Sequence, residues 1–244
     1  MMKAIALNWV GRVRLLLLLT VTMLFGSCED SKCIKGEGAM DTRLLNLDPF
    51  RRINVQGDFK VYLTQGTVQK VEIRGEPNIL DQVETAVRDD TWKITHAECV
   101  RRSKSVEVYI TLPAVESLYL NGSGSIEGRS NFTASDLDIE LNGSGNVRLD
   151  VEAARIISRI TGSGKLQLQG ITPLHRIDIS GSGRVESYDL ESESVEVTIS
   201  GSGIAQVTAA TKLDVSISGS GIVYYKGDPN VSQRISGSGK VVKQ

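Results

Sequence analysis

From Leu118 onward, aliphatic and polar residues alternate in step with a repeated tripeptide. Gly-Ser-Gly begins at residues 122, 143, 162, 181, 201, 219 and 237, so successive copies lie 21, 19, 19, 20, 18 and 18 residues apart. Two residues before each copy stand Leu120, Leu141, Ile160, Ile179, Ile199, Ile217 and Ile235, and directly before it stand Asn121, Asn142, Thr161, Ser180, Ser200, Ser218 and Ser236. Four before, the column reads Leu118, Ile139, Ser158, Ile177, Val197, Val215 and Gln233, and six before it Leu137, Ile156, Val195, Leu213 and Val231 recur. Two residues past each closing glycine, Ile126, Val147, Leu166, Val185, Ala205, Val223 and Val241 restart the pattern. Alternation at period two, rich in β-branched residues, predicts strands. A repeat of about 19 residues predicts stacked units, none of which buries its apolar face alone.

The tripeptide is then a corner between two strands of one rung. Its glycines, Gly122 and Gly124, Gly143 and Gly145, Gly162 and Gly164, Gly181 and Gly183, Gly201 and Gly203, Gly219 and Gly221, and Gly237 and Gly239, are read as structural. Positive φ is expected at these corners, Gly183 included, because glycine reaches it without a Cβ clash. Rungs spaced by about 4.8 Å make seven copies a rod section of roughly 29 Å, and the fold class is all-β, a parallel β-helix or solenoid. A flexible linker has no reason to be bracketed by aliphatic columns. A phosphate-cradling loop would open a helix, and calcium-binding nonapeptides would carry an Asp after the glycines; neither pattern is present.

Residues 43–115 have a different texture. Phe50, Ile53, Val55, Phe59, Val61 and Leu63 alternate around Gln56-Gly57-Asp58, and further short strands are expected at Val71–Ile73, Trp92–Ile94 and Val106–Leu112. Ile79, Leu80, Val83, Ala86 and Val87 fall at helical spacing behind Pro77, which suits a helix start. This β-rich lobe with one short helix is expected to cap the first rung, since an open solenoid end is an unpaired edge. At the other end Lys240 and Lys243 supply charge that resists edge pairing, so a monomer is expected.

Lys3, Arg12 and Arg14 precede the apolar run Leu15–Phe25, too short to span a bilayer, and Gly26-Ser27-Cys28 follows. That arrangement resembles a bacterial lipoprotein signal, with cleavage leaving Cys28 as the acylated first residue and the membrane as partner through a lipid anchor. The organisation is therefore a signal at 1–27, a tether at 28–42, the lobe at 43–115 and the β-helix at 116–244. Glu29 and Asp30 directly after the cysteine resemble an export signal to the outer face of the outer membrane. Removing the signal leaves 25 Lys and Arg against 29 Asp and Glu, a balance that gives no reason to expect nucleic-acid binding. The remaining cysteines, Cys33 and Cys99, are most simply a disulfide in an oxidising compartment, with free thiols as the alternative. His96 and His175 lack ligand-like spacing, so no metal or cofactor is expected.

The run Cys33-Ile34-Lys35-Gly36, the Phe-x-x-Ile-x-Val-x-Gly stretch at Phe50–Gly57, Pro77-Asn78-Ile79-Leu80, the Ile110-Thr111-Leu112-Pro113 step and the Leu-Asn-Gly-Ser-Gly corners resemble the head GIN domain family of auto-transporter adhesins. The resemblance covers the chain from about Cys33 to its end. It implies a right-handed β-helix, secreted or lipid-anchored, and carries no catalytic residues with it. The expectation is a non-enzymatic cell-envelope protein with an adhesin-like role toward a polysaccharide or protein ligand. The alternative is a β-helix polysaccharide lyase or glycoside hydrolase, because fold alone does not decide chemistry. Five residues before successive corners, Glu196 and Asp214 would sit about 5 Å apart, near the separation of a retaining glycosidase pair.

Overall fold

Strand pairing in the computed structural model, which describes residues 33–101 and 103–244, follows the repeat. The signal segment and Cys28 lie outside the described residues. The chain enters through β1 (Asp41–Leu45), β2 (Arg52–Gly57), β3 (Lys60–Gln65) and β4 (Lys70–Gly75). One turn of helix, α1 (Pro77–Leu80), leads to β5 (Val87–Arg88), β6 (Thr91–Ile94), β7 (Glu107–Leu112) and β8 (Ser117–Gly122). Five long strands each bend through one full turn: β9 (Ser125–Gly143), β10 (Asn146–Gly162), β11 (Lys165–Gly181), β12 (Arg184–Gly201) and β13 (Ile204–Gly219). β14 (Ile222–Lys226), β15 (Asn230–Gly237) and β16 (Lys240–Lys243) complete the stack, a β-solenoid of about 7 turns.

Register is parallel and glycine falls on glycine: Gly122 opposes Gly143, Gly143 opposes Gly162, and the series continues through Gly181, Gly201 and Gly219 to Gly237. Inward positions form continuous columns. Leu120, Leu141, Ile160, Ile179, Ile199 and Ile217 are all buried, and so are Val147, Leu166, Val185, Ala205 and Val223 beyond the corner. Truncating one such aliphatic to Ala would cost about 2–5 kcal/mol, so each rung is tied to its neighbours by several terms of that size.

The stack extends further toward the amino terminus than Gly-Ser-Gly marks it. β2 pairs with β8 and β3 with β9, both in parallel, so Gln56-Gly57-Asp58 turns the same corner one rung earlier and Gly57 opposes Gly122. β6 and β7 form a still earlier rung beneath β2 and β3. Beyond β7 the pattern becomes antiparallel, through β4 and then β1, which ends the parallel stack on that side. Residues 34–244 accordingly form one compact unit.

The helix is a single turn, shorter than the apolar spacing suggests. Pro77 stands near its start, but Val83 forms an antiparallel bridge with His96 and the Glu84 N–H donates to the Thr95 carbonyl at 3.0 Å. Those pairings draw the segment into β5, where Val87 opposes Trp92. At the carboxyl end, Lys243 Nζ is held at 2.9 Å by Asp228 Oδ1, while Lys240 stays exposed on the last rung.

The corner expectation needs one correction. Only the first glycine of each copy has positive φ: Gly181 lies at 116° and Gly201 at 122°, whereas Gly183 is absent from the positive-φ glycines. Gly183 is required by space instead, because a Cβ there would stand 2.5 Å from Ile160 Cγ2. At Gly181 both constraints act, since a Cβ would also lie 2.6 Å from the Gly162 carbonyl oxygen. Gly181→Val and Gly183→Val should each cost on the order of 1–3 kcal/mol, whereas Ser182→Ala, at an exposed position, should be mild. Thermal unfolding checks this: at roughly 2–4 °C per kcal/mol for a domain this size, both glycine variants should melt clearly lower and the serine variant within a degree or so.

Candidate functional site

Because the rungs are in register, every outward position becomes a column running along the solenoid, and each column is a candidate surface. On the strand before the corner, Glu196 and Asp214 are register partners on adjacent rungs, as their spacing predicts. They line a depression of about 300 Å³ with Thr198, Ser216, Ser232 and Arg234. Each carboxylate is engaged by a cation from the preceding position in its own or the neighbouring column: Arg176 Nη2 reaches Glu196 Oε2 at 2.5 Å, and Lys212 Nζ reaches Asp214 Oδ2 at 2.5 Å. Hydrogen bonding to those carboxylates holds the Arg176 guanidinium and the Lys212 ammonium above their ordinary ranges. Both carboxylate side chains are 37% exposed. A catalytic carboxyl pair is set in an enclosed pocket, and this one lies exposed beside cationic partners. Exposed ion pairs of this kind add little stability, so the network serves mainly to balance charge along the face.

A second column lies three residues past each closing glycine, and the sequence reading did not single it out. Pairing places Tyr109 on Tyr62, Tyr62 on Glu127, and Glu127 on Arg148. It continues through Gln167, Glu186 and Gln206 to Tyr224. Its side chains are tied together. Arg148 Nη2 donates to Gln167 Oε1 at 3.0 Å, Gln167 Nε2 donates to Glu186 Oε2 at 2.9 Å, and Lys165 Nζ meets the same carboxylate oxygen at 2.9 Å. The Tyr62 and Tyr109 rings stack at 5.0 Å with the Arg129 guanidinium 3.8 Å above Tyr62. The signal that would have found this column is the same glycine alignment, read outward past the closing glycine instead of before the opening one.

Of the polar residues buried in the solenoid, two meet. Ser158 replaces an aliphatic four residues before its corner, His175 replaces one six before the next, and both are fully buried. Ser158 Oγ lies 3.0 Å from His175 Nε2, while Nδ1 is buried without a hydrogen-bond partner. Burial lowers the His175 pKa to about 3, so the ring is neutral at physiological pH. Enclosed in the core, the pair has no approach for a substrate. The second histidine, His96, stacks on Phe59 at 4.5 Å, and desolvation lowers its pKa as well. Among the described residues no group of three His, Cys, Asp or Glu side chains could hold a metal ion. Cys33 and Cys99 are each disulfide-bonded. Cys99 stands in a short parallel contact, its carbonyl accepting from the Ile34 N–H at 2.8 Å beside the Ile34–Val100 bridge.

The molecule is a β-solenoid whose outward columns carry polar and aromatic side chains, and comparison with known proteins gives the family of that fold. The family model "Putative auto-transporter adhesin, head GIN domain" matches residues 49–229, and the chain belongs to this family. The crystal structure of a "putative adhesin" from Bacteroides fragilis superposes with a TM-score of 0.82 at 26% identity, covering 86% of this chain and 100% of that one. A "putative lipid binding protein" from Parabacteroides distasonis (TM-score 0.71, 23% identity, 87% of this chain and 100% of that one) has the same fold. So does a "putative adhesin" from Parabacteroides merdae (TM-score 0.71, 20% identity, 86% and 98%). No curated protein matches the chain.

The buried histidine gives this fold an acid sensitivity with a defined sign. Between its ordinary value of 6.5 and the folded value of about 3, the unfolded chain binds a proton that the folded chain does not. Stability is therefore full above pH 6.5 and falls as pH falls through that window, by on the order of 3 kcal/mol at pH 4 from this group. Replacing the pair together, Ser158→Ala with His175→Leu, should flatten that part of the profile. Urea midpoints at pH 7 and pH 4 check it: the drop between them should be smaller in the double variant than in the wild type, and an equal drop would contradict the assignment.

Proposed function

We propose that the protein is a lipid-anchored, non-enzymatic scaffold of the bacterial cell envelope whose solenoid faces bind a surface ligand, an adhesin-like role. The observation that carries this reading is the unbroken register of the corner glycines from Gly57 to Gly237, which turns outward side chains into long fixed columns. Such a surface is preorganised, so binding does not have to order it first. Membership of an adhesin-named family supports the same reading. Anchoring rests on the short apolar run ending in Gly26-Ser27-Cys28, and display at the outer face on Glu29 and Asp30. A bond between Cys33 and Cys99 would fasten the tether to the body close to the anchor. The Glu196–Asp214 pair, exposed and ion-paired, supports a binding role for that face better than acid catalysis.

Two measurements test the reading. Cys28→Ser should abolish fatty-acid labelling and membrane retention, and a variant that stays labelled and membrane-bound would refute the anchor. Incubation of the protein with envelope polysaccharides and extracellular-matrix proteins should give saturable retention and leave the polymers intact; new reducing ends or unsaturated sugar products would overturn the non-enzymatic part.

A further inference from the structure

We propose that the column past the corner is a glycan track, which takes an extended, uncharged polysaccharide lying along the solenoid axis. This deepens the scaffold reading and rests on it. From Tyr109 to Tyr224 the column spans eight rungs, or about 34 Å at the strand spacing of roughly 4.8 Å. That spacing is close to the length one pyranose adds to an extended β-linked chain, so successive sugars would meet equivalent side chains. Tyr62 and Tyr109 stand toward one end and Tyr224 toward the other, one rung before the terminal Val242, with planar polar groups between them. Aromatic side chains offer large, rigid contact area, and a sugar ring presents a flat apolar C–H face that suits them.

The middle of the track is recessed. β12 carries extra residues relative to both neighbours, with register shifts between Gln167 and Gln169 on one side and between Ser187 and Glu191 on the other. As a result two consecutive residues, Tyr188 and Asp189, face outward between the buried Ser187 and Leu190. The Tyr188 carbonyl is pinned by the Thr208 hydroxyl at 2.7 Å. The bulge opens a groove of about 270 Å³, lined by Arg148, Gln167, Gln169, Glu186, Tyr188 and Gln206. Bulges that re-aim a side chain are a usual way for a sheet to build a site.

The chemistry of the groove selects the ligand. Its amides, guanidinium and carboxylates alternate as donors and acceptors, and a sugar hydroxyl is both. Lys165 pairs with Glu186, and the neutral Gln169 amide donates to Asp150 Oδ2 at 2.9 Å. A polyanion would meet the Glu127 and Asp189 carboxylates, neither of which has an ion-pair partner among the described residues, whereas Glu186 is already paired with Lys165. A peptide adding as a strand needs a free backbone edge, and here the rungs are paired on both sides except at the short bulge around Tyr188. The exposed Lys226 ammonium, 4.5 Å above the Tyr188 ring, sits on a flexible stem that can swing aside and donate to hydroxyls at the groove's edge.

Affinity electrophoresis of the full chain in detergent, through gels containing mannan, dextran, a β-glucan or polygalacturonate, tests the track. At least one neutral polymer should retard the wild type more than polygalacturonate does. Tyr188→Ala and Gln167→Ala should each weaken that retardation about tenfold or more, as loss of a central contact does. Tyr188→Phe, which keeps the ring, should retain it, and Glu152→Gln, at an exposed position outside the groove lining, should leave it unchanged. No retardation by any neutral polymer, or retardation indifferent to Tyr188→Ala and Gln167→Ala, would overturn the track. Saturable binding to a matrix protein in that event would leave the scaffold reading standing. Cleavage of a retained polymer would sink the non-enzymatic scaffold instead and leave the track in place.

Discussion

The structure depends on how closely one corner can approach the next. In each rung the carbonyl of the first glycine accepts the N–H of the serine one rung later: Ser163 to Gly143, Ser182 to Gly162, Ser202 to Gly181 and Ser220 to Gly201, each at 2.9 Å. A second ladder runs beside it, from Lys165 to Gly145 and from Arg184 to Gly164, each at 3.0 Å. Both require that nothing project between the rungs at the corner, and only glycine meets that condition. The corner is a place where a parallel solenoid must turn its chain without losing backbone hydrogen bonds, and these ladders satisfy them there.

Fixing the corner fixes the rest of the rung. With glycine above glycine, the alternation of each strand falls in phase with its neighbours, so aliphatic residues stack inward and polar ones outward with no further instruction. Core and surface then separate their roles. Inward columns are mostly aliphatic, and the polar residues that intrude are bonded: Ser158 and His175 to each other, and Thr172, Ser187 and Ser192 to backbone carbonyls. Outward columns tolerate wide variation, so one face carries the Arg176–Glu196 and Lys212–Asp214 ion pairs while another carries amides and tyrosines. Even a change of rung length is absorbed away from the corner: β12 bulges near Tyr188, yet Gly201 still opposes Gly219.

The solenoid from Ser117 onward was legible in the sequence because its corner tolerates so few residues that the tripeptide repeats visibly. The rung at Gln56-Gly57-Asp58 was less legible, for a physical reason. A Cβ on Gly57 would find only the Phe59 ring, at 3.9 Å, so no earlier corner presses on it. With that space free, Phe59 stands where later rungs need their second glycine, and its buried ring packs on His96. Gly183 was identified as structural, but for φ where the actual constraint is Ile160 beneath it; local sequence does not show what lies one rung away. The same limit hid the column from Arg148 to Gln206 and the Ser158–His175 pair, both of which are relations between rungs. Glu196 and Asp214 were placed correctly as neighbours, while the cations that hold them, Arg176 and Lys212, had to be seen in space.

The account stands on the corner ladders, and amide hydrogen exchange resolved to single residues reads them directly. Ser163, Ser182 and Ser202 are exposed at their side chains, so a loop-like corner would leave their amides exchanging at the rate of a free chain. The account predicts the opposite: these serine amides exchange as slowly as strand amides such as Ile179 and Ile199, and they open together with them. Fast exchange at the corner serines beside slow exchange in the strands would contradict it, because the rungs would then be held by their core alone.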